Sequence, residues 1–363
     1  MDNTAQLDVL VVYSSATAMS ASVPNGQSRH PFALGSPEEG YNKSYAYFLR
    51  ECQKTGLRAG FTASSDITGP GTTKCYWTVE SSNWIKVHSG AHSLQIFDKL
   101  SSPVAERAAE RELMLSQENI LAFNDAEIIS VFTDKLQTFQ KFSHATLPTV
   151  ALPSRKAKDI LTALAELETL RLLPQYVDNF SDEIIVKDRF GAGGNDVNKI
   201  DNPTVSKIQK IMRKSQNVEF IIQPFLLFDT GYSYQGNLTP TDIRLVFHNN
   251  ELLQCYLRTA EAGDFRCNAH QGGEVLYITE SEIPANVVES AQRILKILDK
   301  PKALISLDFA ISNSGTVYLV EGNSGPGLNW DENMKLDEKK VKQMIRSIVK
   351  ELAIRTKDVK TKS

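Results

Sequence analysis

Toward its C-terminal end the chain reads SLDFAISNSGTVYLVEGNSG, which sets Asp308 and Glu321 in two apolar runs with Asn323 two positions beyond the second acid. A turn centred on Ser314 and Gly315 makes this a hairpin in which Asp308 and Glu321 are direct cross-strand neighbours. Strand side chains repeat every second residue, so Asn323 shares their face. Carboxylates that close repel one another. A hard divalent cation relieves the repulsion, and magnesium takes one or two carboxylates while leaving positions for phosphate oxygens and water. The plainer reading is a solvated sheet face on which acids are tolerated. The flanking Leu307, Phe309, Leu319 and Val320 weigh against it, because they suit burial on both faces.

Upstream, EIIVKDRFGAGGNDV ends a strand-like run on Lys187 and follows it with Gly191, Gly193 and Gly194. Glycines let successive backbone N–H groups approach an anion, and a preceding ammonium adds charge. Neither GxxxxGK[ST] nor a helix-opening GxGxxG is present, so the two commonest nucleotide loops are excluded. A mobile turn remains the alternative for this loop taken alone. VEFIIQPFL offers a purine the alternating N–H and C=O groups of an extended backbone plus the amide of Gln223, and Pro224 marks a strand edge or end. GDFRCNAHQGGEV gathers Arg266, Asn268, His270, Gly272 and Gly273 in a polar loop. Arg266 suits a phosphate by its fork of donors, although a surface ion pair is an ordinary use of such a residue. His270 reads as a polar loop residue rather than a general base.

The elements that must hold these residues need space, and 363 residues allow two or three packed domains without staples. A net charge of -3 excludes a whole-chain field for nucleic acid or an anionic membrane. Cys52, Cys75, Cys255 and Cys267 are scattered without CxxC spacing, which suggests neither a disulfide framework nor a zinc site. The N-terminal MDNTAQLDVLVVYSS carries an acid where a signal peptide is basic, and its apolar run is too short to span a membrane. The expectation is a soluble, cytoplasmic protein.

LDVLVVYS, NKSYAYFLRECQKTG and RAGFTAS start the chain as a β-α-β unit. Between the first two lies a Ser-, Pro- and Gly-rich loop from Ala16 to Gly40, of a length that is usually functional or mobile. KCYWTVESSNWIKV alternates as a hairpin around Ser81 and Ser82, and a charged helix is expected from Pro103 to about Gln117. From Asp134, helix, strand, helix and the Lys187 strand follow, and DIRLVFHNNELLQCYLRTA forms two strands around the turn-favouring Asn249 and Asn250. NVVESAQRILKIL and KKVKQMIRSIVKELAIR are helical, and the tail KDVKTKS is expected to fray.

Taken in order, these pieces resemble the ATP-grasp superfamily, and within it the RimK-type and glutathione-synthetase-like carboxylate–amine ligases. TDKLQTFQKFSHATLPTV resembles the helix that leads the family's fold. EIIVKDRFGAGGNDV is similar to its second lysine and glycine loop, and VEFIIQPFL to its adenine hinge. TDIRLVFHNNELLQCYLRTAEAGDFRCNAHQGGEV and LDFAISNSGTVYLVEGNSGPGL resemble its arginine strands and its metal hairpin. The resemblance runs from about Asn124 to Leu328. Asp188, where the family has proline, and Gly322, where an aliphatic residue is commoner, depart from the pattern. So does the long stretch LFDTGYSYQGNLTP before Asp242.

The resemblance implies an α/β chain with a Rossmann-like N-terminal domain (1–123) and a two-subdomain grasp fold, its small part with the glycine loop (124–218) and its large part with the hairpin and final helix (219–363). It implies ATP with Mg²⁺, or Mn²⁺ in its place. Lys135 and Lys187 would contact phosphates, Gln223, Pro224, Phe225 and Leu226 adenine, and Asp242 the ribose. Arg266 and Asn268 would reach the reacting groups, Arg258 would be the next anion stabiliser, and Asp308, Glu321 and Asn323 would bind metal. The implied activity joins a carboxylate to an amine through an acyl phosphate, on an amino acid, a peptide or a protein terminus. An inactive ATP-binding scaffold and a carboxylate kinase or carboxylase stay open, as does a homo-oligomer.

Overall fold

The structure, a computed structural model, describes residues 4–81, 83–100, 105–191, 193–194, 196–215, 217–267 and 273–362. Two compact units divide the chain. One comprises Met1–Ala126, Lys302–Leu304 and Gly325–Ser363, and the other Glu127–Pro301 and Ile305–Ser324. The final segment, expected alongside the hairpin, thus groups with the N-terminal residues.

In the first unit a six-stranded sheet runs in the order Leu121–Ala122, Gln95–Lys99, Val9–Tyr13, Ala59–Ala63, Tyr76–Glu80, Asn83–Val87. Its first four strands are parallel and the last two form the antiparallel hairpin turned at Ser81. VLVV has both faces covered, which is why it reads as a continuous apolar run. The loop expected to be functional or mobile is pinned: Phe32 is fully buried, and its backbone N–H and C=O both bond the Asn42 side chain, at 3.0 and 2.8 Å. Helix Lys335–Lys362 continues through the tail expected to fray, and its buried Thr356 bonds the Gln95 amide.

The second unit contains two further sheets of consequence. A four-stranded one has the order Val150–Leu152, Phe220–Leu226, Phe180–Asp188, Val197–Ile200. Ile184, Val186, Phe220 and Ile222 pack one of its faces against Ile160, Ala163 and Leu167 of one helix and Ile208 and Met212 of another. The strand period of two then sends Ile185 and Lys187 to the opposite face. A five-stranded sheet has the order Glu274–Tyr277, Glu251–Thr259, Thr241–His248, Leu304–Ile311, Val317–Asn323. Asn249 and Asn250 turn the middle hairpin with φ of 55° and 58°, the left-handed conformation that Asn tolerates.

Both hairpins of the larger sheet carry a one-residue irregularity. In the last, Gly315 takes φ 89° and its N–H bonds Ser312 O, so the turn is one residue shifted from the expected centre. Ile311 therefore pairs Val317 and Phe309 pairs Leu319. A bulge at Val320 adds the residue back, and Asp308 does face Glu321. Gly322 is required here, since a Cβ would lie 2.2 Å from the Phe132 ring.

Candidate functional site

A cleft of about 910 Å³ opens within the second unit. Its apolar wall includes Leu147, Ile185, Pro224, Phe225, Leu226 and Val320, and its polar end includes Lys135, Lys187, Gly191, Gly194 and Glu321. The bulge explains why Val320 and Glu321, adjacent in sequence, both line it. Strand Val150–Leu152 pairs the hinge strand only as far as Ile222, so residues 223–226 keep that edge without a strand partner among the described residues. Pro224 pairs with Ile184 near the end of this strand. The side chain of Gln223, expected at adenine, donates to Thr149 Oγ1 at 2.7 Å.

The lysines meet at the polar end. Asp134 caps helix Lys135–Phe142 by accepting from Leu136 N at 2.9 Å, and Lys135 Nζ then donates to Gly191 O. Gly193 and Gly194 have φ of 71° and 75°, so this loop needs glycine there. Asp188, the departure from the family's proline, accepts from Phe190 N at 2.9 Å and starts the turn. Lys187 makes no hydrogen bond or ion pair among the described residues. Burial pulls its ammonium down to about 7, the like charge of Lys135 adds to the fall, and Glu321 opposes it.

Around Asp308 the charges are paired. Arg244 donates from Nε and Nη2 to the two Asp308 oxygens at 2.6 and 2.5 Å, and Arg258 adds a third bond at 2.8 Å. Arg258 also forks onto Asp242, at 2.7 Å to each oxygen. Burial would raise the Asp308 carboxyl, but the Arg244 and Arg258 guanidiniums hold it below the usual carboxylate range. Asp242 takes its side-chain hydrogen bonds from Arg258 alone among the described residues, and burial pushes it up to about 6.

The expected site residues therefore separate. Lys135, Lys187, Gly191, Gly194, Gln223, Pro224, Phe225, Leu226, Asp242, Arg266 and Glu321 line one cleft. Arg258 is buried on two carboxylates rather than open to an anion. Arg266 reaches the cleft paired to Asp264, at 2.6 Å from Nη2. Asn268, His270 and Gly272 lie outside the described residues. Arg244, Asp134 and Arg189 were missed as site residues, although Asp242 and Arg244, two apart on a strand, had to share a face.

A dication would need oxygens here. Among the described residues no three His, Cys, Asp or Glu side chains gather as for a metal ion. Glu321 lines the cleft with no ion pair among the described residues, and Asn323 Nδ2 is buried without a partner. An amide half-turn exchanges that nitrogen for an oxygen. Glu321 and Asn323 fit a hard cation, whereas Asp308 is committed to its arginines. Separately, no helix among the described residues is long and apolar enough to cross a membrane.

A RimK-like ATP-grasp domain model matches residues 149–348, more than half of the chain. No curated protein matches the sequence. Among solved structures, D-alanyl-alanine synthetase A from Vibrio cholerae O1 superposes with a TM-score of 0.58 at 11% identity, over 97% of this chain and 99% of that one. D-cycloserine synthetase gives 0.55 at 13%, over 95% and 99%. A RiPP-associated ATP-grasp ligase from Chryseobacterium gregarium, in complex with ADP and a leader and core peptide, gives 0.55 at 10%, over 97% of each. Likenesses at such identities speak for the fold, and the family match carries the assignment: with its lysines, glycine loop and hinge on one cleft, the chain belongs to the RimK-like ATP-grasp family of C–N bond-forming ligases.

Proposed function

We propose that this protein is an ATP- and Mg²⁺-dependent carboxylate–amine ligase that activates its acid as an acyl phosphate. The observation that carries the reading is the cleft itself: two ammoniums and a glycine loop at one end, an apolar slot with an unpartnered strand edge at the other. Adenine would lie between Ile185, Leu226 and Val320 and bond the free backbone edge of residues 223–226. Lys135 and Lys187 would take the phosphates. Glu321 and Asn323 would hold the magnesium, which when bound draws charge from the transferring phosphoryl oxygens. Asp308 would stand behind them, fixed by Arg244 and Arg258. Arg266 would swing from Asp264 to face the charge that develops during transfer.

Of the structural neighbours, one is named for D-alanyl-alanine, one for D-cycloserine, and one was solved with a leader and core peptide, which supports an amino acid or a peptide as the acceptor. A panel of amino acids and dipeptides scored by ADP release, with mass spectrometry of the products, tests this. ADP release that requires an acid and an amine together, with an amide product, supports the ligase. ADP release with acid alone, and an acyl phosphate trapped by hydroxylamine, would mean a kinase. Nucleotide binding without turnover is the second reading, and the saturation of Asp308 by two guanidiniums is the observation that favours it. Binding of ADP with no release under any substrate pair would establish that reading instead.

A further inference from the structure

Arg189 is used by nothing described so far, yet it joins three elements around the cleft. Its Nε and Nη2 fork onto the two oxygens of Asp134, at 2.8 and 2.6 Å. Its Nη1 reaches Glu219 Oε2 at 3.0 Å, and its backbone N–H bonds Glu219 O at 2.8 Å, immediately before the hinge strand. Its own carbonyl accepts from Lys135 N at 3.1 Å. Three elements thus converge on one residue: the helix beginning at Lys135, the strand ending at Lys187 with its glycine loop, and the strand beginning at Phe220.

Position gives this convergence a use. Asp134 immediately precedes Lys135, and Arg189 follows Lys187 by two residues, so a bond between Asp134 and Arg189 fixes the spacing of the two lysines. When both are protonated, as beside a bound anion, they repel one another. A bidentate arginine–carboxylate pair is the interaction best suited to hold such a geometry, because it constrains direction as well as distance. The Asp134 side chain is only 3% exposed, so water does little to screen the pair.

We propose that Asp134 and Arg189 are positioning residues, a clamp that holds Lys135 and Lys187 at the separation a polyphosphate bridges. The proposal rests on the nucleotide reading of the cleft and goes beyond it, since neither residue is among those lining the cleft. The clamp works through the glycine loop as well: Lys135 bonds the Gly191 carbonyl, so the loop's start is fixed by the same joint.

Asp134→Asn separates this role from helix capping. Asn caps as well as Asp, but it cannot form the charged fork. Calorimetric titration with ADP and Mg²⁺, read beside steady-state kcat and KM for ATP, is the measurement. The expected result is ADP affinity reduced about tenfold or more, with kcat/KM lowered by up to about 10²-fold, the scale on which a misplacement of about 1 Å acts. Arg189→Lys should fall between that variant and wild type, because a lysine keeps the charge and loses the fork. Hydrogen exchange of the 187–200 peptide should quicken in Asp134→Asn.

If Asp134→Asn binds ADP within twofold of wild type, the clamp is wrong. If that variant fails to fold, the same titration on Arg189→Lys decides, with wild-type affinity overturning the proposal. If wild type itself binds no ADP, the nucleotide reading has failed rather than the clamp.

Discussion

Two charge clusters meet at the Asp308–Glu321 pair of the second unit, and they are built on opposite plans. Asp242, Arg244, Arg258 and Asp308 form a closed set of two acids and two guanidiniums, with every carboxylate oxygen bonded and Asp242, Arg258 and Asp308 buried. Lys135, Lys187 and Glu321 form an open set with more cations than acids, facing the cleft. A closed set fixes structure, since removing any member strands a buried partner. An open set tolerates its imbalance only because the cleft is wet or filled by a ligand of opposite charge. Asp308 and Glu321 are cross-strand neighbours, yet they belong to different sets, which turns two identical charges into one structural residue and one candidate ligand residue.

The largest effect should come from opening the closed set. Asp308→Ala leaves Arg244 and Arg258 buried with one carboxylate between them, and losing one partner of a buried ion pair costs about 3–5 kcal/mol. Urea denaturation should show that loss as an earlier midpoint. A midpoint unchanged in Asp308→Ala would mean the set contributes no stability and would erase the contrast drawn above.

Glu321→Gln tests the other side of the comparison. Stability should stay within about 0.5 kcal/mol, as for a substitution that breaks no buried pair. Substrate-dependent ADP release should fall by about 10² to 10³, the usual consequence of losing one preorganised electrostatic partner. Normal turnover in this variant would remove Glu321 from the proposed metal site. A smaller change is expected at Gly322→Ala, where the new methyl meets the Phe132 ring at 2.2 Å. Overpacking of that kind costs about 1–3 kcal/mol. It should also shift the bulge that aims Glu321, so a stability loss without an activity loss would argue against the bulge as the aiming device.

Much of the cleft was legible from residue type and order, because Lys187 ending a strand before a glycine run, and a proline ending a hinge, are local signals. What faces what across the hairpins was not. The turn was placed one residue off, and the bulge at Val320 restored the pairing of Asp308 with Glu321, so the right partner followed from two opposite shifts. In the Asn249–Asn250 hairpin a regular ladder would set Asp242 opposite Leu257, and the irregularity after Val246 sets it opposite Arg258 instead. A bulge leaves no mark in an apolar pattern because it inserts a residue without changing its type. The closed set depends on that insertion, which is why Arg258 was read as an anion stabiliser and Arg244 passed over. Asp134 and Arg189 are hidden for another reason: 55 residues separate them, and only the fold brings their side chains together.

The open set makes one more measurable demand, and it concerns protons. Burial and the neighbouring Lys135 bring the Lys187 ammonium down to about 7 in the folded protein, from an ordinary value of 10.5. Between about pH 7 and 10.5 the unfolded chain therefore carries more protons at this site than the folded one, and stability should rise with pH through that window. The strain of a charged Lys187 is fully present below pH 7. A bound polyphosphate reverses the preference, since an anion beside the amine favours its charged form. At pH 8, ADP binding should then take up close to one proton, measured by calorimetry in two buffers of different ionisation enthalpy. The uptake should shrink toward zero at pH 6, where Lys187 is already charged, and should be absent in Lys187→Met. Equal binding enthalpies in the two buffers at pH 8 would mean that Lys187 is charged before the ligand arrives, and the contrast between a satisfied and an unsatisfied charge set would then rest on the hydrogen bonds alone.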